Sequence, residues 1–241
     1  MTVIYEPKGK AREYAPLAVN LYDGCQHGCL YCYAPHVRHK DKVQFINAKP
    51  RPDIIERLTK EASKSPQDGN KGPVLLCFTC DPYFPIEATH GLTRQAIQIL
   101  HQYGYSISIL TKAGELAQRD FDILTRLDCF GQTLTFVSPE DSKNWEPGAA
   151  LPEERCQNLK AAHAAGIPTW ASLEPVIDPV QSLQLINVTH DFVDEFKVGK
   201  WNHDPRALEI DWRKFREDAI RLLQLYQKKY YIKEDLRKYV S

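Results

Sequence analysis

Apolar and polar positions alternate along the chain with two different periods. Short runs rich in Val, Ile, Leu, Phe and Thr at 19–22, 74–78, 106–111, 132–137, 169–173 and 192–198 are nearly continuous in apolar residues. Strands covered on both faces of a parallel sheet read this way. Between and after them lie longer amphipathic stretches at 53–63, 92–103, 116–127, 152–165, 180–187 and 212–228, spaced as helices are. Their boundaries are legible: Asp53 follows Pro52, Pro152-Glu153-Glu154 sets acids at the positive end of a helix, and Gly104 and Gly166 stand where helices stop. Strand and helix alternating through six units predict right-handed crossovers and a parallel α/β sheet. At 241 residues, six units plus extensions fit a partial (β/α)6 TIM-type barrel. The expected organisation is one domain over 1–241, with an N-terminal extension at 1–18, a barrel core at 19–200, and a C-terminal helix and basic tail at 201–241.

In a parallel barrel, chemistry gathers at the C-terminal ends of the strands. Here those ends carry Asp23 and a cysteine loop, Thr79-Cys80-Asp81, Thr111-Lys112, Ser138-Pro139-Glu140, Ser172-Leu173-Glu174-Pro175, and Lys197 to His203. A single polar strand end is an ordinary turn former, but polar groups at all six ends of one face point to a site.

Charge and cysteine usage narrow the classes. Basic and acidic residues number 31 each, so no global basic surface for nucleic acid is present. Seven cysteines are an odd number and do not read as a disulfide framework, which suits a reducing cytoplasm. No apolar run reaches membrane-spanning length, and the first residues carry no signal-peptide pattern.

Three of the cysteines lie in the loop at 24–33, where Cys25, Cys29 and Cys32 give C-x3-C-x2-C. Three thiolates on a short loop can hold three corners of a cubane 4Fe–4S cluster, which normally takes four; the fourth iron is then open to a small molecule. Gly24 and Gly28 allow the tight turn. His27, with the three irons already served, is expected to face solvent. A zinc loop, which would want four ligands in paired spacings, and three buried structural cysteines are the competing readings.

The loop, with Tyr31 before its last cysteine, resembles the radical S-adenosylmethionine (SAM) superfamily. The segments Thr79 to Glu87, Gly91-Leu92-Thr93-Arg94, Ile109 to Lys112, Gln118-Arg119-Asp120, Glu146-Pro147-Gly148, Glu153-Glu154-Arg155 and Ala165 to Pro168 are similar, in order and spacing, to spore photoproduct lyases and related DNA repair photolyase-like proteins. The resemblance implies a 4Fe–4S cluster on Cys25, Cys29 and Cys32, and SAM chelating the open iron. An electron from a flavodoxin- or ferredoxin-type donor would cleave SAM to a 5′-deoxyadenosyl radical that takes hydrogen from substrate. It implies that Lys112 pairs with the SAM carboxylate, that Thr79 and Asp81 lie near its amino group, that Ser138 and Glu174 reach the ribose or methionyl end, and that Tyr31 packs near the adenine. Tyr33 is implied in radical propagation, packing over the cluster being its simpler role. Cys80 is the better candidate for a functional thiol, because the family's hydrogen-donor cysteine falls on Phe78 here, and Cys77, one residue earlier, is expected on the opposite strand face. That departure puts thymine-dimer repair in doubt.

Three functions follow. The first is a radical SAM enzyme of lyase or repair type on a nucleic-acid or nucleotide-like substrate. The second applies the same chemistry to a peptide, protein or small molecule. The third is an iron–sulfur redox sensor or electron carrier without turnover. The basic run 38–42 could touch phosphate or simply be a solvated turn, and Trp201-Asn202-His203 could stack on a base.

Overall fold

The computed structural model describes residues 2–64 and 72–240; Met1 of the expected extension and Ser241 of the expected tail lie outside them. Seven parallel strands follow one another across a single sheet in chain order. They are β1 (Leu17–Val19), β2 (Pro73–Leu76), β3 (Ser106–Thr111), β4 (Cys129–Thr133), β5 (Thr169–Leu173), β6 (Glu195–Val198) and β7 (Lys229–Ile232). Helices α1 (Ile54–Ala62), α2 (Leu92–Gln102), α3 (Pro152–Ala164), α4 (Pro179–Thr189) and α5 (Trp212–Leu225) make the crossovers, except between β3 and β4. The partial TIM-type barrel expected from the pattern is therefore present. The registers Val19↔Leu76, Leu76↔Ile109 and Leu173↔Val198 bring the C-terminal strand ends to one rim.

Alternation along the strands divides the core. Val74, Leu76, Ile107, Ile109, Phe196 and Val198 are fully buried in the main core that also holds Leu58, Ile97 and Leu159 of the helices. Leu75, between two of them in sequence, joins Ala18 and Trp170 in a second cluster that reaches Tyr14 and Phe78. Each such side chain contributes about 1.5–3 kcal/mol by burial.

Several expectations are corrected. The tail expected within 201–241 contains the seventh strand: β7 pairs with β6 over Glu195↔Lys229 to Val198↔Ile232. Its polar side chains hid a strand that has one half-buried face. The helix expected at 116–127 is a 3-10 turn, Glu115–Asp120. Asp128 explains the interruption, because its Oδ2 takes the Thr125 N–H at 2.7 Å that a helix would have directed to its own backbone. The strand expected at 132–137 runs instead from Cys129 to Thr133, and Gln181 Oε1 receives the N–H groups of Val137 and Ser138, both at 2.9 Å.

The N-terminal segment spans the gap between the two ends of the sheet. Tyr5 forms an antiparallel bridge with Ala18 beside β1. Further on, Glu13 Oε1 accepts from Tyr231 Oη at 3.0 Å and from the Glu234 N–H at 2.8 Å, and Lys10 pairs with Asp235. Among the described residues no helix is long and apolar enough to cross a membrane.

Candidate active site

The rim of strand ends encloses a cavity of about 430 Å³. Cys25, Cys29 and Cys32 all line it, and so do Tyr31, Tyr33, Thr79, Cys80, Asp81, Lys112 and Glu174. Ser138 does not: its Oγ caps the short helix Pro139–Trp145, accepting from the Asp141 N–H at 3.2 Å.

The cysteine loop is fixed to the barrel by its backbone. Cys25 N–H donates to Phe45 O at 2.9 Å, and Leu30 N–H to Trp145 O at 2.8 Å. Gly24 has φ +116°, and a Cβ there would lie 2.4 Å from Phe45 O, so no other residue fits. Burial pushes all three thiols up, Cys29 to about 12 against the lowering effect of Lys112. Ligation by thiolates at this site therefore releases protons.

His27, expected to face solvent, is buried at 3 % exposure. Its Nδ1 lies 2.8 Å from Gly148 O and its Nε2 3.1 Å from Asp81 Oδ2. A carbonyl only accepts, so Nδ1 is the donor to Gly148, while Nε2 lies beside Asp81 but off line and makes no hydrogen bond. Gly148 permits the approach, since a Cβ there would meet Gln26 O at 2.5 Å. Asp81 lines the cavity as well, and its carboxylate is held from within the protein. Its Oδ1 accepts from Thr111 Oγ1 at 2.6 Å and the Tyr83 N–H at 2.9 Å, and its Oδ2 from the Lys112 N–H at 2.8 Å, with His27 alongside. Three of the carboxylate's four lone-pair positions thus take donors within the protein, with the His27 ring beside the fourth. Burial works against its charge, but His27, Thr111 and the backbone donors hold its pKa down to about 2. Asp81 ties the cysteine loop, β2 and β3 together.

Asn20, unnoticed in the sequence, does the same for the neighbouring turn: Oδ1 accepts from the Phe78 and Thr79 N–H groups at 2.9 and 2.7 Å. Cys77 was expected on the opposite face from the site. Both Cys77 and Cys80 line the cavity, because β2 ends at Leu76 and strand alternation no longer applies. Burial, with the Cys80 contact second, raises the Cys77 thiol.

Two ion pairs flank the cavity. Beneath the loop, Glu146 accepts from Tyr31 Oη and from Arg155 Nη2 at 2.6 Å. Lys112 Nζ stands 5.6 Å from the Tyr31 ring centre; burial opposes its charge, but Cys29 and Glu146 leave its pKa raised. At the cavity wall, Glu174 accepts from Tyr14 Oη at 2.8 Å, from Asn202 Nδ2 at 3.3 Å, and from Lys233, whose ammonium lies 3.6 Å from the Tyr14 ring centre. Burial lowers the Lys233 pKa in spite of Glu174. Tyr14 and Lys233 lie in segments that sequence alone marked as extension and tail.

The donor set suits an iron–sulfur cluster. All seven cysteines are free. Among the described residues no three His, Cys, Asp or Glu side chains are arranged to hold a single metal ion, whereas three loop thiols face one chamber that has room beside them.

Comparisons with known proteins agree. An uncharacterized protein of Methanocaldococcus jannaschii is 28% identical over 179 residues, covering 71% of this chain and 64% of that protein. One of Mycobacterium tuberculosis is 26% identical over 173 residues, covering 66% of this chain and 49% of that protein. The chain therefore spans between half and two thirds of these relatives. Among solved structures, a spore photoproduct lyase variant with bound AdoMet and dinucleoside spore photoproduct has a TM-score of 0.71 at 14% identity, covering 95% of this chain and 78% of that one. Streptococcus suis SuiB bound to S-adenosylmethionine has a TM-score of 0.63 at 11% identity, covering 90% and 49%. The profile of the Radical SAM superfamily matches residues 19–193, and with a parallel partial barrel and three cysteines at its mouth, the chain belongs to that superfamily, whose members use a 4Fe–4S cluster and SAM.

Proposed function

We propose that this radical SAM enzyme abstracts hydrogen from a nucleic-acid or nucleotide-like substrate in a lyase or repair reaction. The observation that carries the reading is a single chamber containing the three loop cysteines, Lys112 and Glu174, with Tyr33, Phe78 and His203 at its wall. Cys25, Cys29 and Cys32 would hold the cluster, Lys112 the SAM carboxylate, and Thr79, Asp81 and Glu174 its polar remainder. Tyr31, fixed by Glu146, would pack against the adenine. When bound and reduced, the two cofactors supply a carbon-centred radical. The chain's own part is to position the ligand and exclude water, with Tyr33 and Cys80 closest to a role in hydrogen transfer. The Tyr33 ring is 39 % exposed and sits 6.2 Å from Phe78 and 6.0 Å from His203, which suits contact with a planar group. The fold's likeness to an enzyme solved with a dinucleoside supports the same substrate class.

The electron would come from a small acidic carrier of flavodoxin or ferredoxin type. Exposed Leu30, Val37 and Val43 beside exposed Lys42, with Arg38 and Lys40 sharing the single carboxylate of Asp23, support this. A reducing cytoplasm fits seven free cysteines. The carrier reading retains one observation, that Cys77 and Cys80 share the chamber and could supply a fourth thiolate. Anaerobic reconstitution with SAM and dithionite decides between them. Release of 5′-deoxyadenosine, abolished in Cys29→Ala, supports the enzyme; a reconstituted cluster that yields none refutes it.

A further inference from the structure

The chain is neutral overall, yet its cavity is not. Five lysines and two carboxylates line it. Asp81 turns to the Thr111 hydroxyl and the Tyr83 and Lys112 backbone donors, and Glu174 is paired with Lys233. Lys112 stands on the cluster side, over Tyr31. Three lysines remain: Lys8 and Lys10 in the N-terminal segment, and Lys200 just beyond β6. Lys10 has a counter-ion in Asp235. Lys200 has none: it donates to Tyr239 Oη at 2.9 Å and lies 5.0 Å from the Trp212 ring centre, contacts that fix the ammonium without neutralising it. Lys8 is exposed at the rim, and among the described residues it makes no hydrogen bond or ion pair. Two uncompensated cations lining one open cavity favour an anion there.

Resting on the radical SAM reading of this chamber, we propose that Lys8 and Lys200, with Lys10 beside them, form a subsite for a phosphate group of the substrate, separate from Lys112. Phosphate is favoured over carboxylate because Tyr33, Phe78 and His203 line the same cavity, so stacking surfaces accompany the cations. The positive charge is local, so the subsite takes one or two phosphates of a short or flipped-out segment. It is not the extended basic track that a long duplex needs.

Calorimetric titration of the cluster-loaded, SAM-saturated, unreduced protein tests this. The probes are the dinucleotide pTpT, its uncharged methylphosphonate dinucleoside counterpart, and triglutamate. The pTpT affinity should fall with salt at a slope of about −0.7 per phosphate engaged. Lys8→Glu should weaken pTpT roughly tenfold and flatten that slope, Lys8→Arg should retain binding, and Lys200→Gln should weaken it in the same direction. The subsite is overturned if Lys8→Glu binds pTpT as the parent does, if the uncharged dinucleoside binds equally well, or if triglutamate binds more tightly. It is also overturned if SAM affinity falls in step with pTpT affinity, since the lysines would then hold the SAM carboxylate. Separately, 5′-deoxyadenosine formation by the parent protein reports on the enzyme reading, so either idea can fail alone.

Discussion

Two carboxylate–cation–tyrosine groups adjoin the cavity, one through Tyr31 alone and one through Tyr14, Glu174 and Lys233, and they are not equivalent. In Glu146–Arg155–Tyr31 both charged side chains are at most 1 % exposed, and Arg155 also donates to Ala150 O and Thr133 O. In Glu174–Lys233–Tyr14 the lysine is buried but Glu174 keeps 18 % exposure toward the chamber. An arginine cannot give up its charge and spreads fixed donors over several acceptors, whereas a buried lysine titrates readily. The first group is a brace for the cysteine loop. The second borders the chamber directly and is held by a lysine whose charge burial already disfavours.

The largest expected effect comes from breaking the brace. Arg155→Met leaves Glu146 buried and unpaired and should cost about 3–5 kcal/mol of stability, read from the urea midpoint. If the loss matches that of a surface arginine, the brace is not a brace. Lys233→Met should cost less, about 1–3 kcal/mol, because Glu174 can rehydrate through the cavity; an equal loss at both sites would erase the contrast. Acid should act on the loop's tether. The folded pKa of Asp81, about 2, lies below its ordinary value of 3.8. Its contribution of about 2 kcal/mol is therefore complete above pH 4 and is lost as pH falls through 4 toward 2. Asp81→Asn should flatten the acid limb of a stability–pH curve over that window. The smallest effects belong to the phenols: Tyr31→Phe and Tyr14→Phe should each cost about 1 kcal/mol. Tyr31→Phe should also perturb the ultraviolet–visible spectrum of the reconstituted cluster, which Tyr14→Phe should leave alone.

What could be read from the sequence was local. The six apolar runs and the cysteine spacing are short-range signals, and they led to the sheet and the loop. What escaped was chemistry assembled from distant segments. His27 meets Gly148, 121 residues away, and Tyr14 meets Glu174 at a separation of 160. Glu146, Gly148 and Arg155 were noticed as segments, but nothing in spacing says that Arg155 neutralises Glu146 or that Gly148 receives His27. Lys229–Ile232 hid as a strand because its lysine and two tyrosines carry no alternating apolar signal. The helix misread at 116–127 had acceptable periodicity; Asp128 overrode it by taking an N–H the helix required.

Seven strands leave the sheet as an arc whose ends are joined by Glu13, Tyr231, Lys10 and Asp235 in place of a shared ladder. A closed ring has no edge to open. An arc sealed by a few polar clasps has a lateral seam that water and ions can loosen, so salt and acid reach its closure before they reach its ladders.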